Sequence, residues 1–203
     1  MTQASSAVAS FAELGIIAPL CNRLSELGYV FPTPIQAATI PAVLSGQDVL
    51  AGANTGSGKT AAFAVPLLQR LSEAKSDDKS AGQVRCLVLV PTRELAQQVA
   101  DSFLSYASHF NGQLKIVAAF GGVSVNLQMQ SLRAGADAVV GGLCAVLRGA
   151  VAGHVVSGDL DGVLGIGRML RVIHQRACQF TAKAMIDVAV MGFVGAHQQH
   201  HVA

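Results

Sequence analysis

The stretch Ala53-Asn-Thr-Gly-Ser-Gly-Lys-Thr60 constrains this chain more than any other. It follows a short apolar run, Asp48–Ala51, and opens a helical pattern from Gly58 to about Leu71. Gly56 and Gly58 let the backbone curl with its N–H groups pointing inward, which makes a concave anion site. The following helix N-terminus adds partial positive charge. Lys59 can reach the outer phosphates of a polyphosphate, and the Thr60 hydroxyl can bind Mg²⁺. The strict form of this loop opens on glycine, and Ala53 stands there instead, so the motif is a variant form. The loop is useful only behind a buried strand and ahead of a helix, which already points to an α/β fold.

The rest of the pattern agrees. Leu14, Ile16, Ile17, Leu20, Leu24 and Leu27 have helical spacing over 13–27, and Gly28 fits the position after a helix end. Pro34 is suited to open a second helix, Pro34–Leu44, that ends near Gly46. Residues 72–83, with Asp77 and Asp78, read as a polar surface loop. Arg85–Val90 is nearly all apolar, as expected of a strand buried on both faces. Pro91 then leads into a helix through Phe110. Leu114–Phe120 reads as a strand, 123–132 as a helix, and Ala138–Val140 as the start of another strand. This alternation predicts an α/β fold, a parallel β-sheet flanked by helices with right-handed crossovers.

Composition narrows the function. The chain has 203 residues, enough for one ordinary domain that needs no metal or disulfide staples. The net charge of +2 gives no global nucleic-acid signature, so any such contact must be local. No uninterrupted apolar run approaches the roughly 20 residues of a membrane span. The N-terminus has no basic segment followed by an apolar one, so no signal peptide is expected and the chain reads as cytoplasmic. Cys21, Cys86, Cys144 and Cys178 have no metal-ligand spacing and read as reduced thiols.

Three further stretches can carry chemistry. In Gly28-Tyr-Val-Phe-Pro-Thr-Pro-Ile-Gln36, the Gln36 amide matches the donor and acceptor of adenine, and Tyr29 can stack on a ring. Taken alone, Gln36 reads rather as a solvated residue in a helix's first turn. Pro91-Thr-Arg-Glu-Leu95 follows a buried strand, where open α/β sheets bind ligands. A hydroxyl, a guanidinium and a helix N-terminus suit a phosphate of a nucleic-acid backbone, though alone they also describe an ordinary capped helix. Gly121-Gly122 would permit close approach of another backbone, or simply form a turn.

Taken in this order, the motifs resemble the N-terminal RecA-like lobe of DEAD-box ATP-dependent RNA helicases over about 11–140. The wording FAELG, ELGY and PTPIQ is similar to the bacterial RhlE-like branch. FAELG with GYVFPTPIQ looks like the family's Q motif, with Phe11 as its isolated upstream aromatic. ANTGSGKT looks like motif I, PTREL like motif Ia, and Gly121-Gly122 like the glycine-pair motif. Asn54 departs from the usual glutamine. The resemblance implies ATP and Mg²⁺ as cofactors and RNA as partner. It implies nucleotide contacts from Phe11, Tyr29 and Gln36, and from Ala53, Asn54, Thr55, Gly56, Ser57, Gly58, Lys59 and Thr60. Lys59 and Thr60 would serve the reaction, with Thr60 on Mg²⁺. Pro91, Thr92, Arg93 and Gly122 would line an RNA backbone track with little sequence specificity. In the family, two such lobes close on ATP and a single strand and separate short duplexes locally.

Phosphoryl transfer also needs acids for Mg²⁺ and for the attacking water. The family's Asp-Glu-Ala-Asp does not occur here. Its Ser-Ala-Thr, the Thr-Pro-Gly-Arg expected after GADAVV, and the second lobe are missing too. Asp159 and Asp161 are candidates by elimination, and otherwise belong to a solvated turn. His197, His200 and His201 read as a loose terminus and Arg168, Arg171 and Arg176 as a solvated face. All six prolines lie at or before Pro91, and the last glutamate is Glu94. The expected organisation is a disordered 1–10, an incomplete lobe over 11–140 and a tail, 141–203, without an assigned fold. Our hypothesis is that the tail arose by frameshift or rearrangement. Sequencing across codon 140 tests it, and an uninterrupted native gene for the tail would sink it. Two other readings stand beside the helicase lobe: a non-catalytic or vestigial nucleotide- and RNA-binding module, and a different phosphate-loop NTPase.

Overall fold

A computed structural model describes residues 9–73, 84–110, 112–119, 130–132 and 135–142, and the backbone of 190–193. The chain divides into two compact units, Met1–Asp78 with Gln98–Leu114, and Lys79–Gln97 with Lys115–Ala203.

The first unit is helical. Its elements are α1 (Ala18–Glu26), α2 (Pro34–Leu44), α3 (Lys59–Glu73) and the part of α4 (Arg93–Ala107) from Gln98 onward, which ends in a 3-10 turn, Ser108–Phe110. Leu20 and Leu24, one turn apart on α1, are fully buried. The end of α1 satisfies its last carbonyls through Gly28, at φ +83°: Gly28 N–H donates to Ser25 O (3.0 Å) and Tyr29 N–H to Leu24 O (2.9 Å). Gly46 closes α2 in the same way, with Gln47 N–H on Ala42 O at 3.0 Å. Helix α3 is buried from Ala61 through Gln69, and Phe63 meets Phe103 of α4 with ring centroids 6.1 Å apart.

The helix expected over 13–27 starts later. Residues 11–15 form a turn, with Gly15 at φ +90°, and α1 begins at Ala18 with Pro19 in its first turn. A left-handed glycine breaks the helical path, and proline is tolerated at a helix start. The turn is stapled by a buried glutamine on α3. Gln69 Oε1 accepts Ile17 N–H at 3.0 Å, and Gln69 Nε2 donates to Gly15 O at 2.9 Å. Gln69→Leu is expected to cost about 2–4 kcal/mol, because both backbone groups lose their partner. Urea unfolding at unchanged slope would measure it.

The second unit holds a four-stranded sheet in the order β2-β3-β1-β4, with β1 (Cys86–Val90), β2 (Ile116–Ala119), β3 (Ala138–Gly142) and β4 (Val190–Phe193). β3 is parallel to both β1 and β2. Asp137 gathers the strand starts: its carboxylate accepts Lys115 N–H at 2.8 Å and pairs with Arg85, and its carbonyl accepts Cys86 N–H at 2.9 Å. Ala119, Ala136 and Val139 form a small core with Leu87, Val117 and Leu132 packed on it.

Two expectations about the sheet change. The sheet is not wholly parallel, because β4 runs antiparallel to β1 with Cys86 opposite Phe193. It comes from the segment read as a tail, and it supplies partners for backbone groups that an open β1 edge would leave unpaired. The strand expected to start at Ala138–Val140 runs on to Gly142, opposite Val90. Finally, Asp48–Ala51 is not a strand. Leu50 is 67% exposed, and among the described residues no segment pairs with this run. An apolar tetrapeptide becomes a strand only beside a ladder partner.

The helix expected near 123–132 is described only at 130–132, which are helical. Gly121, Gly122, Asp77, Asp78, Asp159, Asp161, the tail arginines and histidines and the tail cysteines lie outside the described residues.

Candidate functional site

The glycine-rich loop leads directly into α3, whose first residue is Lys59. Gly56 and Gly58 have φ of +82° and +85°, a region closed to most side chains. Ser57 N–H closes a turn on Asn54 O at 3.2 Å. The Lys59 ammonium donates to Ala53 O, so the lysine arches over its own loop. Asn54, Thr55 and Gly56 are exposed, whereas Lys59 and Thr60 are half-buried.

Two side chains from the start of α2 brace this loop. The Thr33 hydroxyl donates to Ser57 O at 2.9 Å, and Gln36 Nε2 donates to Gly58 O at 3.2 Å. Gln36 Oε1 accepts Thr33 N–H at 2.9 Å, so the same amide also caps its own helix. Gln36 is fully buried. The reading of Gln36 as a solvated side chain is therefore excluded. Gly58 has to be glycine for a second reason: a Cβ there would lie 2.3 Å from Gln36 Nε2.

A phosphate group fits these residues. One loop oxygen, Ser57 Oγ, is buried without a partner among the described residues. A buried hydroxyl in that state is destabilising until an acceptor or donor reaches it. Together with the two left-handed glycines, the helix start and Lys59, it fits an oxyanion. Mg²⁺ finds less. The Thr60 hydroxyl stands next to Lys59, but no group of three His, Cys, Asp or Glu side chains gathers among the described residues.

The aromatic positions separate. Phe11 is buried, at 5% exposure, and Ile16 N–H donates to its carbonyl at 3.1 Å, so it anchors the turn over 11–15 from inside the core. Tyr29 is half-buried, and its hydroxyl lies 3.0 Å from that of Tyr106 on α4. The rings meet edge to face, 6.1 Å apart and 79° between planes. Burial, then the bond to Tyr29, holds the Tyr106 phenol above its ordinary pKa and hence neutral. A cavity of about 420 Å³ opens beside the pair, lined also by Leu27, Asp101 and Ser105. Sequence reasoning missed Tyr106. The signal was a tyrosine three residues after Phe103 on the buried stripe of α4, since a buried phenol needs a partner.

In the second unit, Pro91, Thr92 and Arg93 are all exposed just past the carboxyl end of β1. Thr92 caps α4: its hydroxyl accepts Leu95 N–H at 3.2 Å, and its carbonyl accepts Ala96 N–H at 3.0 Å. Both described cysteines, Cys21 and Cys86, hold their protons more tightly than a free thiol. Burial pushes the Cys86 thiol up to about 12 against the opposing charge of Arg85, and burial raises Cys21 as well.

The chain is similar in sequence and fold to known proteins. The chain is 45% identical over 152 residues to the ATP-dependent RNA helicase DeaD of Escherichia coli (strain K12), covering 75% of this chain and 22% of that protein. It therefore spans about a fifth of that relative's length. Its fold is similar to the RNA-helicase Prp28 from Chaetomium thermophilum bound to ADP, with TM-score 0.59 and 35% identity over 70% of this chain and 34% of the other. It is also similar to a DEAD box protein from the hyperthermophile Methanococcus jannaschii, with TM-score 0.59 and 32% identity over 78% and 43% of the two chains. The expected α/β class, a parallel sheet with helices of the RecA-like kind, is that of these neighbours. The family model for DEAD/DEAH box helicases matches residues 33–148, from the capping threonine of α2 to beyond β3, and this chain belongs to that family.

Proposed function

We propose that this chain is the ATP- and RNA-binding lobe of a DEAD-box RNA helicase, with the RhlE-like wording as the finer assignment. One observation carries the reading: Thr33 and Gln36 of the PTPIQ stretch are hydrogen-bonded to the carbonyls of Ser57 and Gly58 in the glycine-rich loop. The two sequence motifs thus form one physical site.

Bound ATP would supply the phosphoanhydride bond, and Mg²⁺ would supply charge neutralisation along the phosphates. Lys59 would leave Ala53 O and place its ammonium on the outer phosphates. The loop amides around Gly56 and Gly58 and the Ser57 hydroxyl would donate to phosphate oxygens, and Thr60 would face the cation. Tyr29 would lie against the base. Gln36 uses one Oε1 lone pair and one Nε2 hydrogen in the bonds above. One of each remains, the number that adenine's edge requires. Exposed Thr92 and Arg93 would bind RNA phosphates, with Pro91 and Gly122 along the same track. A cytoplasmic location goes with the helicase reading. No described helix is long and apolar enough to cross a membrane.

A second reading, a binding module without turnover, is favoured by the absence of Asp-Glu-Ala-Asp from the sequence. Titration of purified protein with fluorescent ADP, followed by phosphate release from ATP with and without single-stranded RNA, separates the two. ADP binding with RNA-stimulated release supports the enzyme, and ADP binding with no release supports the module. Failure to bind any adenine nucleotide would sink both.

A further inference from the structure

We propose that Tyr106 is a positioning residue that holds the Tyr29 ring for base stacking, an inference that rests on the nucleotide reading above. Tyr29 follows the end of α1, where its N–H is anchored on Leu24 O at 2.9 Å. The two side chains that follow it are exposed, Val30 at 71% and Phe31 at 60%. The Tyr29 ring is held at its far end, through the 3.0 Å hydroxyl contact and the edge-to-face packing of Tyr106.

Tyr106 is itself rigid. It is 5% exposed on α4, one turn after the fully buried Phe103, which rests on Phe63 of α3. Helix α3 begins with Lys59 of the phosphate loop. A ring pinned both at its backbone and at its hydroxyl loses little freedom when a base stacks on it, and preorganisation of this kind appears as affinity. The Tyr106 hydroxyl stays neutral, since burial and then the bond to Tyr29 favour its protonated phenol.

The test uses the full chain and two ligands that share phosphates but differ in the base: ADP and inorganic tripolyphosphate. Tyr106→Phe keeps the ring and removes only the hydroxyl. It is expected to weaken ADP roughly three- to tenfold while leaving tripolyphosphate unchanged, as the release of one held side chain implies. Tyr29→Phe removes the same bond from its other end and should match it, and the double variant should be no weaker than either single one. Equal loss for both ligands would mean a merely structural role and overturn the proposal, as would unchanged ADP affinity in Tyr106→Phe. Tyr29→Ala separates the two levels. If it weakens ADP while Tyr106→Phe does not, only the positioning role falls. If Tyr29→Ala leaves ADP unchanged, the placement of the base falls with it.

Discussion

Gly58→Ala is expected to be the most damaging single change in the phosphate loop. Two costs coincide at this position. At φ +85° any L-residue is strained, by roughly 1–2 kcal/mol. The new methyl carbon would also lie 2.3 Å from Gln36 Nε2 and 3.3 Å from its Cδ. Gln36 is fully buried and bonded at both ends of its amide, so it cannot swing clear. Forced overpacking of this kind costs about 1–3 kcal/mol. The sum, about 2–5 kcal/mol, is a large share of the ~5–15 kcal/mol that keeps a domain folded. Gly56 is the control. Its φ is +82°, but a Cβ there meets nothing within 4 Å, so Gly56→Ala should show the backbone cost alone. Urea unfolding of the two variants measures the difference, and a Gly58→Ala no worse than Gly56→Ala would refute the bracing role of Gln36. Gln36→Ala in the Gly58→Ala background should recover part of the loss, since it removes the obstructing amide.

Lys59→Ala should behave in the opposite way, with nucleotide binding lost and the fold intact. The lysine is half-buried, and its contact with Ala53 O stays within the loop. Substitution of a half-buried side chain at the loop end of a helix should move the unfolding midpoint by less than about 0.5–1 kcal/mol equivalent. The ligand loses a charge-assisted bond to each phosphate the ammonium bridges, worth about 1.5–3 kcal/mol apiece. ADP affinity should fall about a hundredfold or more, beyond ordinary titration. Tripolyphosphate affinity should fall with it, because the lysine acts on phosphates and not on the base. That outcome is the complement of Tyr106→Phe, where only the base-bearing ligand suffers. Lys59→Arg should not rescue, since a planar fork cannot replace a compact point charge inside a closed loop. Retained ADP binding in Lys59→Ala would remove the phosphate reading of the loop altogether.

Much of the site was legible because its signals are local. Glycines at 56 and 58, a lysine at 59 and an apolar helix behind them need no distant partner to be recognised, and their dihedrals came out as that pattern demands. The runs at 86–90, 116–119 and 138–142 are uncharged and each carries two β-branched residues, and they paired in the parallel sense expected of buried strands. Helix α2 started at Pro34 and stopped before Gly46, since proline and glycine act on the backbone of their own neighbourhood.

What was not legible depends on partners remote in sequence. Asp48–Ala51 has the composition of a strand and no ladder to join. Gln36 looked like a surface amide until the loop it supports, more than twenty residues later, was folded against it. Gln69 and Tyr106 carry no motif, and their roles exist only through contacts with other elements: the backbone of Gly15 and Ile17, and the Tyr29 hydroxyl. Phe11 belongs to a motif, but its burial under the turn over 11–15 shows only in the fold. The tail showed no recognisable pattern, yet four of its residues close the free edge of β1. By itself the sequence determined the torsions of the glycine-rich loop and which family this chain belongs to, because backbone torsion, helix polarity and charge are set by adjacent residues. Only the tertiary structure decided which side chains hold that site in shape. A buried polar group must find its partner wherever the chain brings one, and sequence distance does not enter that energy.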